Sequence, residues 1–178
     1  MNSFKTWDDI EIAYQEWGAE STHSPPVVLH HGFVADARAN WVIPGVVDAL
    51  VAAGLRVIAP DARGHGSSEK PHDPARYGEQ RMARDLGVLL DVIDEPEVDL
   101  VGYSMGAIVS LIYASGGERV RRLVDVRLGG QSQVNLADFR SRERARVGDI
   151  EIDAESRVVS REAVGREFQV PIIERGIG

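Results

Sequence analysis

Gly102-Tyr103-Ser104-Met105-Gly106 has the pattern G-x-S-x-G. A serine between two glycines at this spacing can sit on a sharp turn with its hydroxyl lifted clear of its neighbours. The chemistry that suits such a group is attack on a carbonyl carbon. A serine hydroxyl at its free pKa is a poor nucleophile, so the reaction also needs a base to take the proton. It needs donors as well, aimed at the oxygen that becomes negative.

A second stretch supplies candidate donors. His30-His31-Gly32-Phe33 closes the apolar run "PPVVL". A glycine there lets backbone approach a ligand closely. The N–H of Phe33, paired with that of Met105, is placed to form an oxyanion hole. The adjacent histidines invite a metal reading. Neighbours on a strand point to opposite faces, which argues against both holding one ion, and no H-x-x-x-H or acidic cluster supports them. A third stretch, "DARGHGSS" at residues 61–68, contains His65, a tempting base. It reads better as a tight turn tied together by hydrogen bonds from His65 and Arg63. Its glycines do not form a phosphate-binding loop, because neither G-x-x-x-x-G-K-[ST] nor G-x-G-x-x-G occurs.

These motifs must be positioned by regular elements. "FKTWDDIEIAYQEWG" alternates polar and apolar residues about Asp8-Asp9 and predicts an N-terminal β-hairpin. "PPVVLHHG" predicts a strand, "IPGVVDALVAAG" a helix closed by Gly54, and "LRVIAP" a buried strand. Met82, Leu86, Leu89 and Ile93 keep helical spacing between Gly78 and Ile93. "EPEVDLVGY" is a loop and strand, "MGAIVSLIYASGG" a helix with small residues for close packing, and "ERVRRLVDV" a further strand. Strands alternating with helices predict a mostly parallel α/β sheet flanked by helices. Ser104 then falls where a strand meets a helix, the setting that an elbow requires.

The pattern changes after Val126. Residues 127–178 form an atypical charged tail with weak periodicity, in which "DIEIDA" suggests a short strand and "SREAVGREF" a short helix opening at Ser160. The organisation expected is the N-terminal part of an α/β domain at 1–126, with no separate domain assigned in the tail. "ERVRRLVDV" lacks a clear downstream neighbour. An exposed sheet edge there, open to self-association, is the expectation, with "DIEIDA" able to cover part of it.

The 178 residues carry a net charge of −8, which argues against nucleic acid and anionic membrane surfaces as partners. There is no cysteine, which excludes disulfides and thiol catalysis. No signal-peptide h-region and no membrane-spanning apolar run is visible, and a cytoplasmic setting is expected. Lysine occurs only at Lys5 and Lys70.

H-G-F, D-x-R-G-H-G-x-S and G-Y-S-M-G, in this order, resemble the α/β-hydrolase superfamily over roughly residues 1–126. Within it they are similar to esterases, enol-lactonases and C–C bond hydrolases that use serine. Epoxide hydrolases and dehalogenases of the fold use aspartate at the elbow. The resemblance implies a partial α/β-hydrolase fold, Ser104 as nucleophile, Phe33 and Met105 as oxyanion donors through their backbone N–H groups, and a small ester, lactone or acyl substrate. It implies no cofactor and no metal. It also implies an acid and a histidine after the serine, in that chain order. Here the histidines are His23, His30, His31, His65 and His72, all before Ser104. Asp125 follows the elbow but lies in an apolar strand with no histidine to orient. Three accounts compete: a hydrolase cut short after about Val126, a non-catalytic binding or scaffolding relative, and an unusual arrangement in which His31 or His65 reaches Ser104.

Overall fold

The computed structural model describes residues 1–18, 24–116, 119–127, 130–135, 144–147 and 150–153. The tail helix expected at Ser160 lies outside them. The strands are β1 (Asn2–Lys5), β2 (Glu11–Trp17), β3 (Val27–His30), β4 (Val57–Pro60), β5 (Val98–Tyr103), β6 (Val120–Arg127), β7 (Gly130–Asn135), β8 (Arg144–Val147) and β9 (Ile150–Asp153). The helices are α1 (Val46–Ala52), α2 (Glu79–Val92) and α3 (Met105–Gly116), with a π-helical turn at Arg38–Val42 ahead of α1.

One sheet runs in the order β1-β2-β4-β3-β5-β6-β7-β8-β9. The central strands β4, β3, β5 and β6 are parallel, and every pairing outside them is antiparallel, so the sheet is mixed. Two clusters explain the apolar character of the central strands. Val28, Ile58, Val98 and Leu100 face the helices α2 and α3, together with Met82, Leu86, Leu89, Leu90 and Val109. Val27, Leu29, Val57 and Ala59 face the opposite side, with Trp41, Val47 and Leu50. Successive strand residues point to opposite faces, and here both faces are covered, so alternation gives way to continuous apolar runs.

The hairpin forms as expected, with Asp9 at φ 64 in the turn between β1 and β2. The strand "ERVRRLVDV" is not an edge. β7 pairs antiparallel along β6 from Arg122↔Asn135 to Arg127↔Gly130, where "DIEIDA" had been the only neighbour foreseen. "IEID" is indeed a strand, but it pairs with β8 as the outermost strand described. The sequence "GQSQVN" lacks apolar alternation, so β7 is held by backbone pairing that leaves no periodic signal.

Arg63 ties the outer hairpin to the helical layer. Its side chain is fully buried, with Nε and Nη2 donating to the two Asp85 carboxylate oxygens at 2.7 and 2.6 Å. Nη2 and Nη1 also donate to Asp8 at 2.9 and 3.1 Å, and Nη1 to the Arg76 carbonyl at 2.6 Å. All five guanidinium protons are thereby used. Asp8 belongs to the hairpin turn and Asp85 to α2. Arg63 thus leaves its own turn, contrary to the expectation that it would help tie that turn together. This guanidinium cannot be removed cheaply, because buried Asp85 loses the cation that pairs it and Asp8 keeps only the partly exposed Arg76 and Arg81. Arg63→Met is expected to lower stability by about 3–5 kcal/mol in chemical denaturation at neutral pH. A loss below about 1 kcal/mol, the range of exposed pairs, would refute a structural role for the cluster.

Candidate active site

Parallel register brings the two motifs together. His30 of β3 lies beside Gly102 of β5, so both strands end at one level. The carboxyl ends of parallel strands are where open α/β sheets bind ligands. After Tyr103 the chain turns sharply at Ser104, which has φ 52. Left-handed backbone at a serine is uncommon and costs about 1–3 kcal/mol, and it persists only where surrounding packing holds it. α3 begins at once, and the Ser104 carbonyl accepts from Ala107 N at 3.0 Å and Ile108 N at 3.3 Å.

The flanking glycines are required by contact. A Cβ on Gly102 would lie 2.4 Å from the Gly106 carbonyl oxygen and 2.6 Å from Ala107 N. A Cβ on Gly106 would lie 2.1 Å from the His30 carbonyl oxygen. Gly32 completes the set: a Cβ there would be 2.9 Å from the Tyr103 ring and 3.4 Å from Ser104 Cβ. The turn after β3 therefore sits directly against the serine.

That turn is braced on every side. Gly32 N donates to Asn40 Oδ1 at 2.8 Å, and Gly32 O accepts from His31 Nδ1 at 2.8 Å and from Ala35 N at 3.3 Å. The Gly32 carbonyl and the Phe33 N–H belong to one planar trans peptide and point in opposite directions. Holding the carbonyl against His31 therefore aims the Phe33 N–H the other way. The His31 tautomer follows from its partners. Nε2 accepts from Ala62 N at 2.9 Å, so the proton is on Nδ1. His31 links the ends of β3 and β4 and has no free nitrogen for proton transfer.

His23 lies outside the described residues, and His65, His72 and His30 are placed as follows. His65 Nδ1 lies 3.0 Å from the Arg63 carbonyl oxygen, and its Nε2 is hydrogen-bonded to the Phe33 carbonyl. His72 is exposed in the loop ahead of α2. His30 is buried, with Nδ1 unpartnered among the described residues. Its ring lies 5.8 Å from that of His31 at 16°, so the two are not on opposite faces. His31 falls one residue beyond β3, where strand alternation no longer applies. Among the described residues no group of three His, Cys, Asp or Glu side chains is placed to hold a metal. Nor is any helix there long and apolar enough to cross a membrane. Asp125 lies on β6 opposite Gly102.

Two bracing residues escaped the sequence reading. Asn40 sits in "ARANW" with no motif to single it out. Asp61 opens "DARGHGSS", and its carboxylate accepts from Ala37 N at 2.9 Å and Ser67 N at 2.8 Å. It fills the space a Gly66 side chain would need, with Oδ2 2.1 Å from that Cβ position.

Elbow, brace and mixed sheet are those of the α/β-hydrolase fold, and the sequence pattern of that family matches residues 25–126: the chain belongs to it. It is 41% identical over 104 residues to the 2-hydroxy-6-oxo-2,4-heptadienoate hydrolase of Pseudomonas putida, covering 56% of this chain and 36% of that protein. It is 34% identical over 109 residues to a non-heme chloroperoxidase of Streptomyces lividans, covering 60% and 36%. Among solved structures it resembles epoxide hydrolase A of Mycobacterium thermoresistibile with a TM-score of 0.60 and 34% identity, covering 68% of this chain and 37% of that one. The chain thus spans well under half the length of these relatives.

Burial sets the charge state of the site. It holds the His30 ring far below the ordinary value of 6.5, at about 3, and pushes His31 in the same direction. Asp8 is lowered from 3.8 to about 2, first by its bonds to Arg63, whereas desolvation raises Asp85. The signs are definite for linkage. A group whose folded pKa is depressed stabilises the fold fully above its unfolded value and loses that contribution as pH falls through the folded one. The histidines thus weaken the fold from about pH 6.5 downward, and Asp8 adds its loss below about pH 4. Asp85 partly offsets the second step. Urea midpoints should fall through the first window, and His30→Leu should flatten that upper part. A wild-type midpoint constant between about pH 4.5 and 7 would contradict this assignment.

Proposed function

We propose that this chain is a serine hydrolase of its family, directed at a small carboxylic ester, lactone or related acyl substrate, and impaired in proton transfer. Ser104 Oγ attacks the carbonyl carbon. The N–H groups of Phe33 and Met105 receive the developing oxyanion; the C–O bond to the leaving group then breaks, the alcohol departs with the proton given up by Ser104, and water adds to the acyl-enzyme to release the acid. The observation that carries this reading is the strained Ser104 elbow, with Gly32 packed against it. The relatives span more than one chemistry, a C–C bond hydrolase and a chloroperoxidase among them. The elbow residue is what selects serine-type acyl transfer over the aspartate chemistry of epoxide hydrolases.

The impairment rests on the histidines. None follows Ser104 in the sequence, and both ring nitrogens of His31 and of His65 are taken up by backbone groups. Loss of the base alone lowers turnover about a millionfold in a serine hydrolase. The same observation favours the second reading, a non-catalytic relative that keeps the fold for binding or scaffolding.

A fluorophosphonate probe separates the two. The chain alone is expected to label far more slowly than an intact serine esterase. Free imidazole, supplying the missing base from solution, should accelerate labelling in proportion to its concentration. Ser104→Ala should abolish both rates. Rapid labelling without imidazole would reveal a base in the chain. No labelling at any imidazole concentration would favour the non-catalytic relative.

A further inference from the structure

We propose that Asn40 is the positioning residue of the Phe33 donor, holding Gly32 in the one conformation that orients the Phe33 N–H. This role rests on the reading of that N–H as an oxyanion donor.

Two demands conflict at Gly32. It must be glycine, because a Cβ there would lie 2.9 Å from the Tyr103 ring and 3.4 Å from Ser104 Cβ. Glycine is also the residue whose backbone torsions are least restricted. The peptide that follows is planar, so φ and ψ of Gly32 set the direction of the Phe33 N–H. An oxyanion donor acts by being fixed before the charge develops. Phe33 and Val34 are mostly exposed, so packing on their side chains does little to hold the turn.

Hydrogen bonds to both peptides of Gly32 supply the restraint. On the Phe33 side, the Gly32 carbonyl accepts from His31 Nδ1 at 2.8 Å and Ala35 N at 3.3 Å. Both donors belong to the same turn. On the other side, Gly32 N donates to Asn40 Oδ1 at 2.8 Å, a contact from outside the turn. Only with both peptides held are φ and ψ fixed together. Gly32 is buried, so its N–H has no solvent partner to replace Asn40.

Asn40 is anchored on each side. It lies in the π-helical turn Arg38–Val42, where Ile43 N donates to the Arg38 carbonyl at 2.9 Å. Such turns are frequent at functional sites. Ahead of it, Ala37 is wholly buried and its N–H donates to Asp61 Oδ1 at 2.9 Å. Asn40 N itself donates to the Asp36 carbonyl at 3.1 Å. Next in the chain, Trp41 is buried with Val47 and Leu50. Asn40 therefore refers the position of Gly32 to the core and not to the exposed loop.

Asn40→Leu keeps the volume and removes the acceptor, whereas Asn40→Asp keeps an acceptor oxygen in place. Hydrogen exchange of the Gly32 amide reads the bond itself. It should quicken about fivefold in Asn40→Leu, as for loss of a neutral hydrogen bond, and stay near wild type in Asn40→Asp. The dipolar coupling of the Phe33 N–H in a weakly aligned sample reads the direction of the donor. It should shrink in Asn40→Leu while the couplings of β3 and β5 and the thermal midpoint change little. Imidazole-assisted labelling of Ser104 should slow about tenfold in Asn40→Leu, less than the loss of a whole donor. Asn40→Ser, too short to reach Gly32 N, is read in the same way should Asn40→Leu not fold. An unchanged Phe33 coupling would overturn the proposal, as would Gly32 exchange equal to wild type. Labelling at the wild-type rate in Asn40→Leu would also overturn it. Should the wild type fail to label with imidazole while Gly32 exchange and the Phe33 coupling respond as expected, the hydrolase reading falls and the orienting role of Asn40 stands.

Discussion

At the centre of the molecule, backbone packs on backbone with no room for a side chain between. The first turn of α3 lies so close to the end of β3 that a methyl group on Gly106 would meet the His30 carbonyl at 2.1 Å, and one on Gly102 would meet Gly106 itself. This closeness forces the chain to reverse within one residue, and Ser104 is that residue. It also brings the turn after β3 against the serine, so candidate nucleophile and candidate oxyanion donors are consequences of one contact. Strain at Ser104 is sustained because the buried parallel strands on both sides cannot shift without opening the core.

Around that contact, polar groups are matched donor to acceptor. Asn40 caps Gly32, Asp61 gathers two backbone N–H groups, and His31 bridges two strand ends with its single proton correctly placed. Arg63 does the same at larger scale, joining the hairpin, the loop after β4 and α2 through one fully used guanidinium. Unpaired buried groups are costly in a low dielectric, so these networks specify a single arrangement of the loops at the carboxyl ends of the strands.

Much of this was legible in the sequence, for identifiable reasons. The elbow was readable because its glycines are required sterically and its strand and helix have distinct periods. The helix over Met82, Leu86, Leu89 and Ile93 was readable because one face packs on the sheet. Asn40 and Asp85 were not readable as partners. They act through contacts with residues 8 and 22 positions away, and a polar residue that caps a turn looks no different in a string from one in solvent. The destination of Arg63 was misjudged for the same reason: its turn suggested local bonds, but its partners lie 55 and 22 residues away. β7 was missed because "GQSQVN" gains its place by backbone pairing, which composition does not encode. The stacking of His30 with His31 was missed because the strand stops one residue earlier than the motif suggests.

The sheet's change of direction across β6 divides the chain by the length of loop each pairing must close. β3 meets β5 only after some seventy intervening residues are brought into place, through β4 and α2. β6 and β7 pair with only two residues between the partners Arg127 and Gly130, and β8 and β9 with only two between Val147 and Ile150. Closing long loops is entropically slow, and short hairpins form within microseconds. Loop-closure entropy therefore weighs most on the parallel centre that carries Ser104. The antiparallel strands can pair among themselves early and then wait for β6 to be fixed by α3 and β5.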